Sequence, residues 1–418
     1  TRKESSAASD VYKRQVYARI NDGNGNISYY KVVTITELET FETYEQYSAK
    51  NSTTATDIYY LYTDENGDTA YIPKDFSVGV SNSINKISTG LVVQDSNGNQ
   101  FVWVPVDKDS VVYNGTTVKT DGTDTYKPMV QYQNGYSEST DEQYFESIRY
   151  NYSSSYSTGS KMSSVSSGKP AHQLGNSSYR EPSLVTGAAN YSWVFQASNN
   201  QYDSVSAYYK DICGFSSPTE MGQYMNEQYT NMVKSVKEYG GFYIGRFETS
   251  LTSGVIGSKI NTTAMDSRAG TETGSNYGNR WYGMYNKQDS NRNTRNPYYR
   301  STTVVSSMIW GSQYDAMLNW AAKGNEANMI YKRTGNHSGS PAKTGAYGVD
   351  VMNNIFDLSA NLVEWTQEAY TTYFRAFRGG YFSTTNTYVA STRSSYYSTN
   401  TGYNYGSRAT LCLRSSEP

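Results

Sequence analysis

Side chains that can form hydrogen bonds and aromatic contacts with another molecule are concentrated in one stretch near the C-terminus, residues 381–405. Ser, Thr, Tyr and Asn occupy 20 of its 25 positions. Tyrosine offers a large, rigid, amphipathic contact surface and Ser and Asn offer adaptable hydrogen bonds, so this mixture is typical of surfaces that bind other molecules. Residues 369–416 contain no His, Asp, Glu or Lys, so no general base is available there to activate a hydroxyl. The stretch therefore predicts binding rather than catalysis.

The amino acids missing from this stretch carry a second signal. Lys, Glu, Gln, Met and Trp occur elsewhere in the chain but not between Tyr381 and Tyr405. None of them can be reached from an Asn codon, AAY, by changing only its adenines, whereas every residue in the stretch can. This pattern indicates adenine-directed mutagenesis of the encoding DNA. The alternative is an ordinary Tyr/Ser-rich loop, because the chain has 43 Tyr and residues 151–157 have a similar composition.

Residues elsewhere could in principle catalyse a reaction. A serine hydrolase needs a histidine base beside a serine and a carboxylate. His172 and His337 are the two histidines, and only His337 has a serine neighbour, but it lies in a Gly/Ser-rich loop without a strand-turn-helix elbow. The carboxylates Asp315 and Glu326 are interpreted as charges at helix ends. The pattern favours a chain without a catalytic site.

Composition limits the remaining classes of function. The chain has 418 residues, which suffices for two or three domains, with 18% charged residues and a net charge of -2. Such a surface gives no electrostatic reason to bind nucleic acid or an anionic membrane. Two cysteines, Cys213 and Cys412, are too few for a disulfide framework and are predicted to be buried thiols, although they could pair. No signal peptide or membrane-spanning segment is visible.

The N-terminal region is predicted to be β-rich. Residues 5–15 read as an in-frame translation of a sequencing adapter, so residues 1–15 are assigned to an artefact and the natural N-terminus is expected to be missing. Residues 16–33 resemble the end of a bacterial Ig-like repeat with a turn at 22–25; the alternative is an isolated hairpin. A short helix is predicted within 36–49, followed by a hairpin with its turn at Asn66-Gly67.

Further elements are predicted to support the C-terminal stretch. A helix should begin after Ser217, with Glu220 completing a capping box, and bury a stripe ending at Tyr239. A second helix is predicted over 313–323 with Ser312 as its cap. Residues 107–217 show little periodicity and are interpreted as a long surface insertion. Strands are predicted at 91–93 and 101–104, on either side of a turn at Asn97-Gly98, and at 241–248.

Three segments carry a family resemblance: residues 354–366, NIFDLSANLVEWT; residues 377–380, FRGG; and residues 406–408, GSR. Together with residues 101–106, FVWVPV, they resemble the formylglycine-generating-enzyme (sulfatase-modifying-factor) branch of the C-type lectin fold. The Tyr/Ser/Asn-rich insert between the last two segments resembles, more narrowly, the variable proteins of diversity-generating retroelements. In that family a reverse transcriptase rewrites the insert, and the altered side chains form a ligand-binding face on a constant scaffold.

The resemblance implies an α+β, C-type-lectin-like domain over residues 89–416, preceded by the β-rich region 16–88. It implies a non-catalytic receptor or adhesin, outside the cell on a bacterial surface or a phage particle, that binds a variable protein or glycan and could be oligomeric. No cofactor or metal is expected. The predicted contact residues are Tyr381, Ser383, Asn386, Tyr388, Ser394, Ser395, Tyr396, Tyr397, Asn400, Tyr403, Asn404 and Tyr405.

The same resemblance leaves alternatives open. An oxidase of the formylglycine-generating kind would need a pair of copper-binding cysteines near the C-terminal segment, and only Cys412 lies there. A structural adhesin with a fixed surface is the other alternative. Asn361 and Glu364 match positions where relatives hold calcium, but two residues do not complete such a site. Asn361 could instead form a turn and Glu364 pair with an arginine, with Trp365 in the core and Arg378 and Arg408 as scaffold hydrogen-bond donors.

Overall fold

The computed structural model describes most of the chain outside its long central insertion. Backbone and side chains are described for residues 39–106, 214–216, 218–267, 281–322, 334–369, 374–384, 388–397, 400 and 402–415, apart from a few side chains within helices and strands. Only the backbone is described for strands at 13–21, 27–36, 128–130, 143–146, 150–151 and 160–161.

The described elements are four helices and many short strands. The helices are α1 Tyr44–Ser48, α2 Pro218–Tyr239, α3 Trp281–Gln288 and α4 Gly311–Ala322. The strands are β1 Lys13–Asn21, β2 Ile27–Thr36, β3 Phe41–Glu42, β4 Tyr59–Thr63, β5 Thr69–Pro73, β6 Ser77–Gly79, β7 Val92–Gln94, β8 Gln100–Pro105, β9 Pro128–Val130, β10 Gln143–Glu146, β11 Tyr150–Asn151, β12 Ser160–Lys161, β13 Gly241–Gly245, β14 Ser250–Thr252, β15 Val255–Gly257, β16 Val304–Met308, β17 Val351–Met352, β18 Ile355–Phe356, β19 Val363–Ala369, β20 Phe374–Arg378, β21 Arg393–Tyr397, β22 Tyr405–Ser407 and β23 Ala409–Leu413. This mixture, with strands predominating, confirms the predicted α+β class at the level of composition.

A seven-stranded sheet in the order β16-β23-β13-β8-β7-β6-β3 forms the main layer. Its inner strand β13 is buried along its whole length. Because side chains alternate along a strand, Phe242 and Ile244 point to one core and Tyr243 to the other. Helices α2 and α4 cover the first face, and the β4–β5 hairpin covers the second, where the Tyr243 hydroxyl donates to the Tyr71 carbonyl at 2.7 Å.

The N-terminal strands β3 and β6 belong to this same sheet, β6 pairing with β7 and β3 with β6. The predicted domain boundary at residue 89 therefore does not coincide with an edge of the sheet, although residues 39–88 are β-rich as predicted. The strand β1 begins at Lys13, within the segment assigned to the adapter, and pairs with β2. That assignment, the Ig-like repeat and the surface insertion at 107–217 stay predictions.

Several predicted elements are confirmed. Hairpins join β4 to β5 and β7 to β8, and Gly67 and Gly98 in their turns have φ of 84° and 79°. The predicted helices correspond to α2 and α4. The apolar stripe of α2 is buried at all of its predicted positions, which are Met221, Met225, Met232, Val236 and Tyr239.

One local prediction was wrong in detail, and one helix was missed. The helix predicted over 36–49 is shorter, because Phe41 lies in strand β3 and Thr43 caps α1, with Gln46 completing the capping box. The carboxylate of Glu220 accepts from the Ser216 amide at 2.6 Å, and the predicted cap, Ser217, lies outside the described residues. Helix α3 was missed because seven of its eight residues are buried, which removes the amphipathic periodicity that reveals a surface helix.

Candidate ligand-binding face

A second, four-stranded sheet in the order β21-β20-β19-β22 carries the C-terminal stretch. Strand β22 runs parallel to β19, and the other pairings are antiparallel. The register places Trp365 opposite both Phe377 and Ser407, and Phe377 opposite Ser394. The segments flanking residues 381–405 thus lie on β20 and β22, the two strands that pair with either side of β19.

Each residue of the segment Arg378-Gly379-Gly380 is suited to its surroundings in the fold. Arg378 is fully buried and donates to Asp315 of helix α4 at 2.8 Å. Gly379 has a φ of 80°, a left-handed conformation that glycine adopts without strain. A Cβ on Gly380 would lie 2.0 Å from the Ser359 carbonyl oxygen. The predicted scaffold role of Arg378 is confirmed, whereas Asp315, predicted as a helix-end charge, is a buried ion-pair partner of Arg378.

The segment Gly406-Ser407-Arg408 is held by buried polar contacts. The Ser407 hydroxyl accepts from Gln288 of α3 at 2.7 Å. Arg408 is fully buried, and its Nε lies 2.9 Å from a Glu364 carboxylate oxygen. Its two terminal nitrogens donate to the carbonyls of Gly245 and Phe356, each at 2.8 Å. The predicted pairing of Glu364 with an arginine is confirmed.

The Asn361 turn links this buried layer to Glu248. Asn361 has a φ of 66°, which confirms the predicted turn, and its side-chain amide donates to the Glu248 carboxylate. The backbone amide of Leu362 donates to the same carboxylate at 2.9 Å. Burial, together with nearby Asp357 and Glu364, raises the pKa of Glu248 well above its usual range. Glu248 was predicted only as the end of a strand over 241–248, whereas β13 ends at Gly245 and Glu248 lies in the buried loop that follows.

Five tyrosines of the C-terminal stretch belong to one network of ring contacts that runs through Phe377 and Phe382. We call them the tyrosine cluster: Tyr381, Tyr388, Tyr396, Tyr403 and Tyr405. Tyr405 stacks on Trp365 with ring centroids 4.9 Å apart and contacts Phe377 edge-on at 5.5 Å. Tyr388 lies 6.1 Å from Tyr381, Tyr396 6.2 Å from Tyr405, and Tyr403 stacks 5.1 Å from Phe382. Trp365, Phe377 and Phe382 are buried beneath the cluster, which confirms Trp365 as core.

Exposure divides the stretch into two sets. Tyr396 and Tyr403 are 44% and 45% exposed. Half-buried positions are Tyr381, Ser383, Tyr388, Ser394, Ser395, Asn400, Asn404 and Tyr405. The intervening residues Phe382 and 389–393 are buried. Asn386 and the side chain of Tyr397 lie outside the described residues. Each described contact residue predicted from sequence therefore reaches the surface, and each fully buried residue of the stretch was left out of that prediction.

The face is uncharged where it is described. Arg393 is the single charged residue in the sequence from 381 to 405, and it is buried against Glu368. Burial, and the neighbouring Tyr396, raise the pKa of Tyr405 to about 12, so its hydroxyl stays protonated at neutral pH. The surface therefore offers aromatic rings and neutral hydrogen-bonding groups.

The residues considered for catalysis are placed elsewhere or used structurally. Cys412 is buried in β23, and burial raises the pKa of its thiol to about 12. A ring nitrogen of His337, Nδ1, lies 3.1 Å from the Tyr381 carbonyl oxygen, while the Ser338 hydroxyl donates to Asn336 at 2.8 Å and not to the imidazole. Cys213, His172 and Glu326 lie outside the described residues. Across the residues that are described, no group of three or more His, Cys, Asp or Glu side chains could hold a metal ion.

Comparisons with known proteins give only distant similarities. No protein-family model matches the sequence, and no curated protein matches it. The chain is similar to the major tropism determinant I1 variant at 12% identity, with a TM-score of 0.27 over 88% of this chain and 98% of that one. The U1 variant of the same protein is 11% identical, with a TM-score of 0.28 over 88% of this chain and 97% of that one. CarF is 10% identical, with a TM-score of 0.26 over 41% of this chain and 86% of that one. TM-scores this low establish no common fold, so the function proposed below rests on this chain's own residues.

The close approach at Gly380 gives a stability prediction. Gly380→Ala should destabilise the protein by about 1–3 kcal/mol, because the added methyl group must displace a backbone carbonyl. Gly348→Ala is the matched control, since its Cβ would meet nothing within 4 Å. Urea denaturation of both variants measures the difference, and equal midpoints would contradict the assigned role of Gly380.

Two buried carboxylates predict that stability depends on pH. Burial and the charge of Asp357 raise the pKa of Asp350 from 3.8 to about 7, and burial raises that of Asp357 to about 6. The folded state therefore binds more protons than the unfolded state between about pH 4 and pH 7, so the free energy of unfolding should fall as pH rises through that window. Asp350→Asn should flatten this dependence, and Asn in place of exposed Asp57 should leave it unchanged. Urea titrations from pH 4.5 to pH 8 test this; stability that rises towards pH 7 would contradict it.

Proposed function

We propose that this chain is a non-catalytic binding protein whose ligand, a protein or glycan on a cell or particle surface, is held by the tyrosine cluster. The observation that carries the proposal is a set of five uncharged tyrosines whose rings contact one another or the buried rings of Trp365, Phe377 and Phe382. Tyrosine is enriched among the residues that dominate binding energy at interfaces, because it buries a large rigid area and still offers a hydroxyl.

The proposal includes diversification of this face. The predicted contact residues, from Tyr381 to Tyr405, would vary through adenine-directed changes in the DNA, on a constant C-type-lectin-like scaffold of the sulfatase-modifying-factor subtype. One feature supports a division between variable face and constant scaffold. The arginines at 378, 393 and 408 make buried ion pairs, and none of them is among the predicted contact residues, which are all neutral.

Location follows from the proposed ligand. We place the protein outside the cell, on a bacterial surface or a phage particle, as an adhesin or receptor. Among the helices that the structure describes, none is long and apolar enough to cross a membrane.

An oxidase of the formylglycine-generating kind is the alternative that the resemblance left open, and one observation disfavours it. Copper would need a pair of thiolate ligands near Arg408. Cys412 is the single cysteine in residues 369–416 of the sequence.

Sequencing many copies of the encoding DNA tests diversification. We expect substitutions at adenine positions between the codons of Gly380 and Gly406, with both flanking segments constant. Uniform sequence, or variation spread evenly along the gene, would overturn diversification and leave a fixed binding surface.

A selection experiment tests binding itself with a defined probe, egg-white lysozyme. The first library varies six polar positions of the face among Asn, Ser, Tyr and Asp and keeps the tyrosine cluster: Ser383, Asn386, Ser394, Ser395, Asn400 and Asn404. The matched library varies six exposed positions around the β4–β5 hairpin: Ser52, Thr54, Thr63, Asn66, Asp68 and Thr69. Folded lysozyme binders should come from the first library only. Binders from neither library, or from both equally, would overturn the proposed role of the face.

A further inference from the structure

A loop outside residues 381–405 contacts backbone atoms of the first residues of that stretch. This loop, residues 335–340 with the sequence GNHSGS, is called the clamp loop below. The Gly339 amide donates to the Phe382 carbonyl at 2.8 Å, and His337 Nδ1 lies 3.1 Å from the Tyr381 carbonyl oxygen. A carbonyl oxygen can only accept, so Nδ1 of His337 carries the proton that it donates.

The clamp loop is itself built rigidly. Buried Asn336 donates through its side-chain amide to the Ser340 carbonyl at 2.8 Å and to the Asn361 side-chain oxygen at 3.1 Å. The Asn336 side-chain oxygen accepts from the Ser338 amide and hydroxyl. Asn361 also accepts, through its backbone carbonyl, from the Phe382 amide at 3.1 Å. One asparagine turn therefore supports both the clamp loop and the start of the variable stretch.

These contacts have a property that suits a variable segment. All three bonds to residues 381 and 382 use backbone carbonyls or amides of the stretch, so they do not depend on which side chain stands at 381 or 383. Phe382, whose backbone they fix, is buried and supports the ring of Tyr403. Fixing the backbone therefore places Tyr403 as well as Tyr381.

The outer edge of the clamp loop borders the face. Ser338, Gly339 and Ser340 are exposed, and a Cβ on Gly339 would lie 3.7 Å from the methyl group of Thr384. A ligand seated on Tyr381 and Tyr403 would meet this edge.

We propose that the clamp loop is a constant wall of the binding face: His337 and Gly339 fix the backbone at 381–382 whatever side chains follow, and Ser338–Ser340 contact the ligand. His337 is thus a positioning residue. This inference rests on the proposed function for its ligand contact but not for its positioning role.

Amide hydrogen exchange tests positioning without any ligand. In His337→Ala, the amides of Phe382 and Gly339 should exchange about fivefold faster, as expected for the loss of one hydrogen bond of about 1 kcal/mol. His337→Asn should restore slow exchange, because the asparagine amide can place a donor near the position of Nδ1. Amides of strand β13 should not change. Unchanged exchange at Phe382, equal behaviour of the two variants, or equally faster exchange in β13 would overturn the positioning role.

Lysozyme binders from the face library test whether the clamp loop contacts the ligand. Ser340→Trp should weaken lysozyme binding at least tenfold by obstructing the edge of the face, and Ser52→Trp, an equally exposed serine far from the stretch in sequence, should not. Unchanged affinity in Ser340→Trp would overturn the wall. If the library gives no binder, the proposed function fails, and hydrogen exchange still decides whether His337 holds the stretch.

Discussion

Arg408→Ala should destabilise the protein by about 3–5 kcal/mol, the typical cost of removing one partner of a buried ion pair. The substitution leaves the Glu364 carboxylate buried without its cation and removes the donors to Gly245 and Phe356. Arg408→Lys should also be costly, because a single ammonium group cannot reproduce the planar fork that reaches these acceptors. Urea denaturation, with midpoint and slope both compared, measures the change.

Two controls make this prediction specific. Arg414 is half-buried and donates to the Ser301 carbonyl, so Arg414→Ala also removes an arginine but breaks no ion pair with Glu364. It should lower the free energy of unfolding much less than Arg408→Ala does. The double variant Arg408→Met with Glu364→Gln should be more stable than Arg408→Met alone, because it removes the carboxylate that accepted hydrogen bonds from Arg408. Equal stability of Arg408→Ala and wild type would refute the anchoring role.

Tyr396→Ala and Tyr403→Ala should each weaken lysozyme binding by about 2 kcal/mol, or about thirtyfold in Kd, in a binder selected from the face library. Each side chain is more than two-fifths exposed, so truncation exposes little core. The free energy of unfolding should therefore change by less than about 1 kcal/mol. Titration calorimetry and urea denaturation of the same variants separate the two effects.

Two aromatic residues outside the stretch serve as controls for the Tyr396→Ala and Tyr403→Ala variants. Tyr347 is 36% exposed on a constant loop, and Tyr347→Ala should change neither binding nor stability. Trp365 is fully buried under Tyr405, and Trp365→Ala should cost about 3–5 kcal/mol of stability. A comparable loss of stability in Tyr396→Ala or Tyr403→Ala would show that these rings are core.

Side-chain chemistry explains why the exposed, neutral character of residues 381–405 could be predicted. The stretch lacks carboxylates and lysines, and the rings at 396 and 403 are exposed, as a neutral Tyr/Ser/Asn composition indicates. The flanking glycines could be identified as anchors, but the sequence could not show which atoms require them. Gly380 is needed because the Ser359 carbonyl, 21 positions earlier, approaches it in the fold.

The buried charges were the least predictable part of the site. Asp315 looked like a helix-end charge because it stands in the first turns of α4, yet it faces Arg378 from β20. Glu248 and Glu368 lie on different elements and acquire their partners only when these elements pack. Long-range pairing of this kind leaves no local periodicity.

By itself, the sequence determined the mixed helix-and-strand composition, the hairpin turns at Gly67 and Gly98, the buried stripe of α2 and the chemical character of residues 381–405. These features depend on local rules: backbone conformations open to glycine, the alternation of buried and exposed positions, and side-chain polarity. Only the tertiary structure decided that residues 39–88 join the main sheet, that Trp365 and Phe377 support the tyrosine cluster, and that His337 reaches the Tyr381 carbonyl. Those contacts join residues far apart in the chain, so their geometry exists only after the strands have paired and the core has packed.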